Sequence, residues 1–189
     1  MTDTTHSPAK PPPSFVPLRQ RWWPPLLFWL LVNVWGFVER GGQPFAGHQP
    51  SPLQPPGWVF PVMWFTLNVF QIWGGLRLLD PARPIRHRRA VIALQAVTWV
   101  IYATFSAVYF TLGSSILAAG WTVGFFVLTV ASIALVARDD RSLAAIWLPL
   151  ILWTGFASVV GVHNALINPD PLFGTAALRL SRDSGGFGR

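Results

Sequence analysis

Every acidic residue in this 189-residue chain falls between or outside long apolar runs: Asp3, Glu39, Asp80, Asp139, Asp140, Asp170 and Asp183 are the whole inventory. The stretches they divide run from Trp22 to about Val38, Gly57 to Leu79, Ala90 to Leu112, Ser115 to Val136 and Leu143 to Ile167. A helix that crosses the hydrocarbon layer needs roughly 20 mostly apolar residues and tolerates few charges. The pattern therefore predicts an all-α membrane protein, a five-transmembrane-helix bundle over residues 22–168, with spans at about 22–38, 57–79, 90–112, 115–136 and 143–167. Composition agrees: 11% of residues are charged, against roughly 25% in soluble proteins, and mean hydropathy is +0.43.

Punctuation refines the spans. Pro24-Pro25 and Pro55-Pro56 stand at helix starts, where a missing N–H costs nothing because first-turn donors have no intrahelical acceptor. Pro61 and Pro149 read as interior prolines that bend their helices. Gly113-Ser114-Ser115 alone separates the third and fourth runs. One continuous helix there would be about twice a bilayer crossing at about 1.5 Å per residue, so a tight hairpin is expected. Residues 1–21, rich in Pro, Ser and Thr, predict a disordered tail, and 169–189 a mostly polar one in which Leu172-Phe173 could lie along the interface. The apolar run after Arg21 is too long for a cleaved signal peptide and lacks an Ala-x-Ala site.

With alternating helices, Lys10, Arg19, Arg21, Arg77, Arg83, Arg86, Arg88, Arg89, Arg138 and Arg141 share one side, and Arg40, Arg179, Arg182 and Arg189 the other. The first side is expected to be cytoplasmic, N-terminus included. The formal charge of +7 then reads as membrane-surface charge, with the cluster Arg83, Arg86, Arg88 and Arg89 a loop held at an anionic leaflet. No nucleic-acid-binding module has room in such a chain.

Intramembrane ionisable residues mark functional sites by default. The runs carry no carboxylate, which counts against proton-coupled transport and excludes a carboxylate-bridged metal site. The chain has no Cys, excluding thiolate chemistry. Of its four His, only His163 falls within a run, and a lone helical His is more often a packed residue than an axial haem ligand. What the runs do carry is aromatic surface with sparse amides. Phe60, Trp64, Asn68 and Gln71 share one face of the second helix, Trp29, Asn33 and Gly36 one face of the first, and Trp153, Ala157, Gly161 and Asn164 one face of the fifth. These faces turn inward, because an amide in lipid costs free energy unless it is hydrogen-bonded. They read either as packing seams or as a pocket for a flat apolar ligand.

Pro55-Pro56-Gly57-Trp58-Val59-Phe60 followed by Trp64 resembles the second-helix signature of the TspO/MBR proteins, the tryptophan-rich sensory proteins of bacteria and the mitochondrial translocator (peripheral benzodiazepine receptor) proteins. Leu148 to Ser158, Leu-Pro-Leu-Ile-Leu-Trp-Thr-Gly-Phe-Ala-Ser, with Asn168 closing the helix, is similar to the family's fifth-helix pattern. Phe105-Ser106 and Tyr109-Phe110 resemble its third-helix motif. The chain departs from that pattern elsewhere. The aromatic Trp-Tyr and Lys-Pro of the first loop, which covers the pocket in relatives, are replaced by Gly42 to Pro50. Asn68 stands where a Tyr is usual, Tyr102 where an Asn is expected, Leu150 for Tyr and Gly161 for Asn, and Pro61 lies one place early. No Tyr near the C-terminal end supports the cholesterol-recognition pattern.

The resemblance implies a membrane receptor or sensor, in a bacterial inner membrane, that binds porphyrin or haem and regulates tetrapyrrole or stress responses. It places a planar macrocycle between the first, second and fifth helices, against Trp64 and Trp153, with Phe60, Ala157, Asn68, Gly161, Phe105 and Ser106 completing the site. No cofactor is required beyond that ligand. The alternatives are a photochemical porphyrin-degrading enzyme using the same Trp residues, a transporter of lipophilic solutes, and a structural subunit of a membrane complex. A homodimer through Ala103 and Ala107 is a further expectation.

Overall fold

The computed structural model describes residues 23–38 and 44–177. The expected tail over residues 1–21, Lys10, Arg19, Arg21, Glu39, Arg40, Gly42, Gln43 and everything from residue 178 lie outside the described residues, as do the side chains of 35–38. The described chain is helical apart from one isolated bridge between Asp170 and Thr175. The helices are α1 (Trp23–Val38), α2 (Val59–Leu79), α3 (Arg88–Ser106), α4 (Ser115–Val136), α5 (Arg141–Ile146) and α6 (Leu148–Ile167). α3 runs on into a π turn over Ala107–Thr111. Val59–Leu79, Arg88–Thr111, Ser115–Val136 and Arg141–Ile167 are each long and apolar enough to cross a bilayer, and α1 is a shorter apolar helix. The molecule is a multi-pass all-α membrane protein, its α5 and α6 together forming the fifth span.

The prolines act differently from the expectation of two bent helices. α2 starts at Val59, two residues later than expected, so Pro61 sits in its first turn, where no donor is lost. Pro149 does not bend the fifth helix but breaks it. Continuing α5 would press the Pro149 ring on the carbonyl of Ala145. Instead Trp147 N–H closes on Ala144 and Ala145 carbonyls, and α6 restarts with Pro149 in its first turn. Trp147 itself is fully buried. It lies against Gly74 of α2, where a Cβ would overlap the indole.

Capping sets the other boundaries. Gly113 takes φ +63° between α3 and α4, a left-handed conformation costly for any residue with a Cβ. Ser114 Oγ then accepts from Leu117 N at 3.0 Å as the cap of α4. Asp170 is buried and completes the same corner: it accepts from Ser114 Oγ and Ile116 N, each at 2.8 Å, and from the amides of Leu172 and Phe173. The segment after Asn168 begins as a folded turn, with Leu172 and Phe173 exposed.

The opposite end is an arginine-rich knot. Asp140 caps α5 through Leu143 N and takes Arg77 Nε at 2.8 Å and Arg83 Nη1 at 2.9 Å. Asp139 pairs with Arg86 at 2.9 Å, and Arg88 donates to the carbonyls of Leu78 and Asp80 that end α2. The buried cluster of Leu78, Ile85, Val91, Val136, Leu143 and Trp147 seals this end.

Candidate functional site

Two adjoining chambers occupy the other half of the bundle. The main one, ≈870 Å³, is lined by the loop between α1 and α2 and by α2, α3 with its π turn, α4 and α6. Of the expected site residues, Phe60, Trp64, Phe105, Ser106, Trp153, Ala157 and Gly161 line it together. Asn68 lines neither chamber. It belongs to a buried hydrogen-bond chain in which its Nδ2 donates to Tyr102 Oη at 2.8 Å and Tyr102 Oη donates to Asn33 Oδ1 at 2.6 Å. Gln71, on the same face, is likewise spent on packing: it donates to Thr98 Oγ1 at 3.1 Å, beside Gln95, which donates to Ser132 Oγ at 3.0 Å.

The aromatic residues form walls more than stacked plates. Trp64 lies parallel to Phe125 (5.8 Å, 9°) and tilted on Tyr102 (5.1 Å). Trp153 meets Phe60 edge-on at 5.9 Å, and Phe105 stacks on Tyr109 at 5.8 Å. The π turn carries Tyr109 and Phe110 into the lining: Leu112 N reaches back to Ala107 O at 2.9 Å, one residue further than an α turn. Gly161 brings α6 against α4, because a Cβ there would stand 2.9 Å from Thr122 Oγ1 and 3.4 Å from Ala119 Cα.

The first loop, although altered, forms a wall. Pro44, His48, Pro50, Gln54 and Gly57 line the chamber. Two asparagines of the fifth span latch the loop. Gln49 N donates to Asn168 Oδ1 at 2.7 Å while Asn168 Nδ2 returns a bond to Gln49 O at 2.8 Å. Ser51 N donates to Asn164 Oδ1 at 2.7 Å and Asn164 Nδ2 donates to Gln54 Oε1 at 3.2 Å. His48 Nε2 lies 3.0 Å from Tyr109 Oη, and burial holds its imidazole below the usual histidine value. Three buried polar atoms on lining residues have no protein partner: His48 Nδ1, Ser115 Oγ and Trp153 Nε1. Polar groups thus gather toward the loop end and rings toward the bundle interior, as expected where a mostly apolar ligand is held with few orienting contacts.

The side chamber, ≈380 Å³, is lined by Trp29, Val32 and Asn33 of α1 together with Phe65, Tyr102, Ala103 and Trp121. The described part of α1 borders this side chamber and not the main one. This follows from α1 packing on α3, through Asn33–Tyr102 and the Phe28–Trp99 edge contact at 4.8 Å. Ala103, one member of the small-residue step on α3, lines this chamber. His163 lines neither chamber.

Sequence reasoning did not single out His48, Gln54, Tyr109, Ser115 and Thr122 as site residues. His48 and Gln54 sit in a loop with no periodicity. Ser115 and Thr122 lie in an otherwise apolar run where hydroxyls usually satisfy their own backbone, as Thr122 does on Ala119 O at 3.0 Å.

No curated protein matches the chain. The model of one family, described as the TspO/MBR family, matches residues 27–166, from α1 to the last turn of α6.

Proposed function

This chain belongs to the TspO/MBR family, and on that premise we propose that it is a membrane receptor or sensor that binds a flat hydrophobic ligand, a porphyrin or haem, in the main chamber. The observation that carries the reading is the chamber itself: ≈870 Å³, walled by Trp64, Phe60, Trp153 and Phe105, with neutral polar atoms near the loop. That volume lies within the roughly 300–1,000 Å³ usual for small-molecule sites. Ala157 presents only a methyl group to the chamber, and Gly161 lines it where α6 closes on α4. An open chamber also favours binding over a purely structural subunit, for which side chains would be expected to fill the space. The polar ends of the ligand would meet Gln54, Asn164 and Ser115, while its faces meet the rings.

Haem differs from a metal-free porphyrin by its iron. His48 lines the chamber wall with its Nε2 engaged by Tyr109 and its Nδ1 without a protein partner, so the wall's imidazole does not by itself select between the two. The reading therefore rests on recognition of the macrocycle, and metal-free porphyrin is the appropriate probe. The charge distribution supports an inner membrane with the arginine-rich end in the cytoplasm, and the sensing role would regulate tetrapyrrole or stress responses.

The test is quenching of the protein's Trp emission on titration with porphyrin in detergent. Saturable quenching is expected, and it should fall sharply in the Trp64→Ala/Trp153→Ala protein. Unchanged emission at saturating porphyrin, or equal quenching in the double variant, sinks the reading.

A further inference from the structure

The wall around the two joined chambers is closed by unequal means at the loop, between α2 and α6, and between α1 and α2. At the aqueous end the loop is held by four hydrogen bonds of 2.7–3.2 Å to Asn164 and Asn168. Opening it exposes backbone and amide groups that must each find a new partner. Between α2 and α6 lies buried core, where Leu67, Leu150 and Trp153 pack with Val59, Phe60 and Met63. Parting that seam breaks apolar packing continuous with the protein's centre.

The seam between α1 and α2 is different. No described residue of α1 joins either buried cluster, and its polar tie runs to α3 through Asn33 and Tyr102. Against α2 it offers an edge contact, Trp29 on Phe65 at 5.9 Å, and Phe65 is 59% exposed on the surface that lipid covers. Directly behind these two rings lies the side chamber. It adjoins the main chamber across Pro61, Trp64, Phe105, Ser106, Thr122 and Ala157, which line both.

We propose that the side chamber is a bilayer portal: an apolar ligand passes from the lipid between α1 and α2, past Trp29 and Phe65, and reaches the main chamber around Trp64 while the loop stays latched. This rests on the reading that the main chamber binds a flat apolar ligand. The route suits such a ligand, which partitions into hydrocarbon and never has to cross the polar loop. The Asn33–Tyr102 hydrogen bond ties α1 to α3, so an opening toward α2 leaves that anchor in place. Trp64 is the partition. Its ring is held between Phe125 and Tyr102, and Tyr102 is pinned by Asn33 and Asn68.

The chain has no native Cys, so introduced pairs are unambiguous. Full-length protein in phosphatidylcholine vesicles is mixed with vesicles loaded with octaethylporphyrin, an uncharged macrocycle, and Trp quenching is followed in time. A Gln49→Cys/Asn168→Cys protein, its loop locked by oxidation, is expected to take up porphyrin within about twofold of its reduced form. Val32→Trp, which fills the side chamber, should slow uptake several-fold while reaching the same end-point. Phe65→Ala, which widens the mouth, should speed it, and it serves as the test should Val32→Trp fail to fold. Uptake abolished by oxidation and restored by reduction overturns the portal, as does an unchanged rate in the Val32 and Phe65 variants alike. Absence of quenching in the unmodified protein, including with porphyrin added in detergent, removes the binding reading and the portal with it, an outcome distinct from a wrong route.

Discussion

At Asn68 and Tyr102 the chain departs from the family pattern twice, and the two residues meet. The resemblance expects Tyr on the second helix and Asn on the third; here the amide is on α2 and the phenol on α3, and they bond to each other at 2.8 Å. Tyr102 donates in turn to Asn33 Oδ1 at 2.6 Å, so the phenol joins α1, α2 and α3. Tyr102→Phe would leave Asn33 Oδ1 and Asn68 Nδ2 without that partner, and a loss of about 1–3 kcal/mol is expected in thermal unfolding of the detergent-solubilised protein. The exchanged protein, Asn68→Tyr/Tyr102→Asn, should recover part of what each single change costs; additive losses would show that the pair is not coupled. Two charged-state effects belong to the same scale. The Arg77 hydrogen bond holds the Asp140 carboxyl down to about 2 against a usual 3.8, with burial opposing it. A lowered carboxylate contributes stability above its unfolded value, lost as pH falls from about 3.8 through about 2. His48, lowered by burial, adds an earlier loss: the unfolded chain takes up its proton first, so stability declines as pH drops below the ordinary histidine value of 6.5. Unfolding temperature against pH should therefore fall in two separated steps. Asp140→Asn should shrink the acid one, to which Asp139, held down by Arg86, also contributes, and His48→Phe should remove the one near neutrality.

The elements were legible in sequence wherever lipid dictates them. A hydrocarbon layer about 30 Å thick demands long uncharged helices whatever their packing partners, so the positions of Asp80, Asp139 and Asp170 bounded the spans directly. What failed was detail set by tertiary contact. Pro149 signals a disruption, but whether it bends or breaks a helix depends on Trp147 finding a buried place beneath it, and no periodicity in the run reveals Gly74 waiting on α2. Pro61 reads as interior only when the helix is begun at Gly57, and α2 begins at Val59. The π turn at Ala107–Thr111 was equally hidden, since it is a backbone register change with no residue requirement. Gly74 supplies the test at this scale. A methyl there overlaps the indole of a fully buried Trp, so Gly74→Ala is expected to cost about 1–3 kcal/mol despite its better helix propensity. Gly75, next to it, meets nothing within 4 Å, and Gly75→Ala should be neutral or stabilising in the same unfolding measurement.

Over the whole molecule the two ends are chemically opposite. One carries Arg77, Arg83, Arg86, Arg88, Arg89, Arg138 and Arg141 against Asp80, Asp139 and Asp140, and ion pairs knit the α2–α3 and α4–α5 connections into one block. The other holds the loop, the chambers and the buried Asp170, latched by neutral amides. The chamber was legible in part for the same reason as the spans. Trp64, Trp153 and Ala157 lie on faces that could not turn to lipid, whereas the loop's share depended on contacts between residues far apart in sequence, such as Gln49 with Asn168. A basic excess retained on one side of a membrane fixes orientation, so the arginine-rich end is expected in the cytoplasm and the loop outside. With no native thiol, single cysteines at Arg89 or Arg138 should react with an impermeant maleimide only after the cells are permeabilised. Cysteines at Leu53 or Leu172, both exposed near the loop end, should react in intact cells. The reverse labelling pattern would mean that the ion-paired arginines are spent on the fold and that the bundle is oriented by something other than its charge.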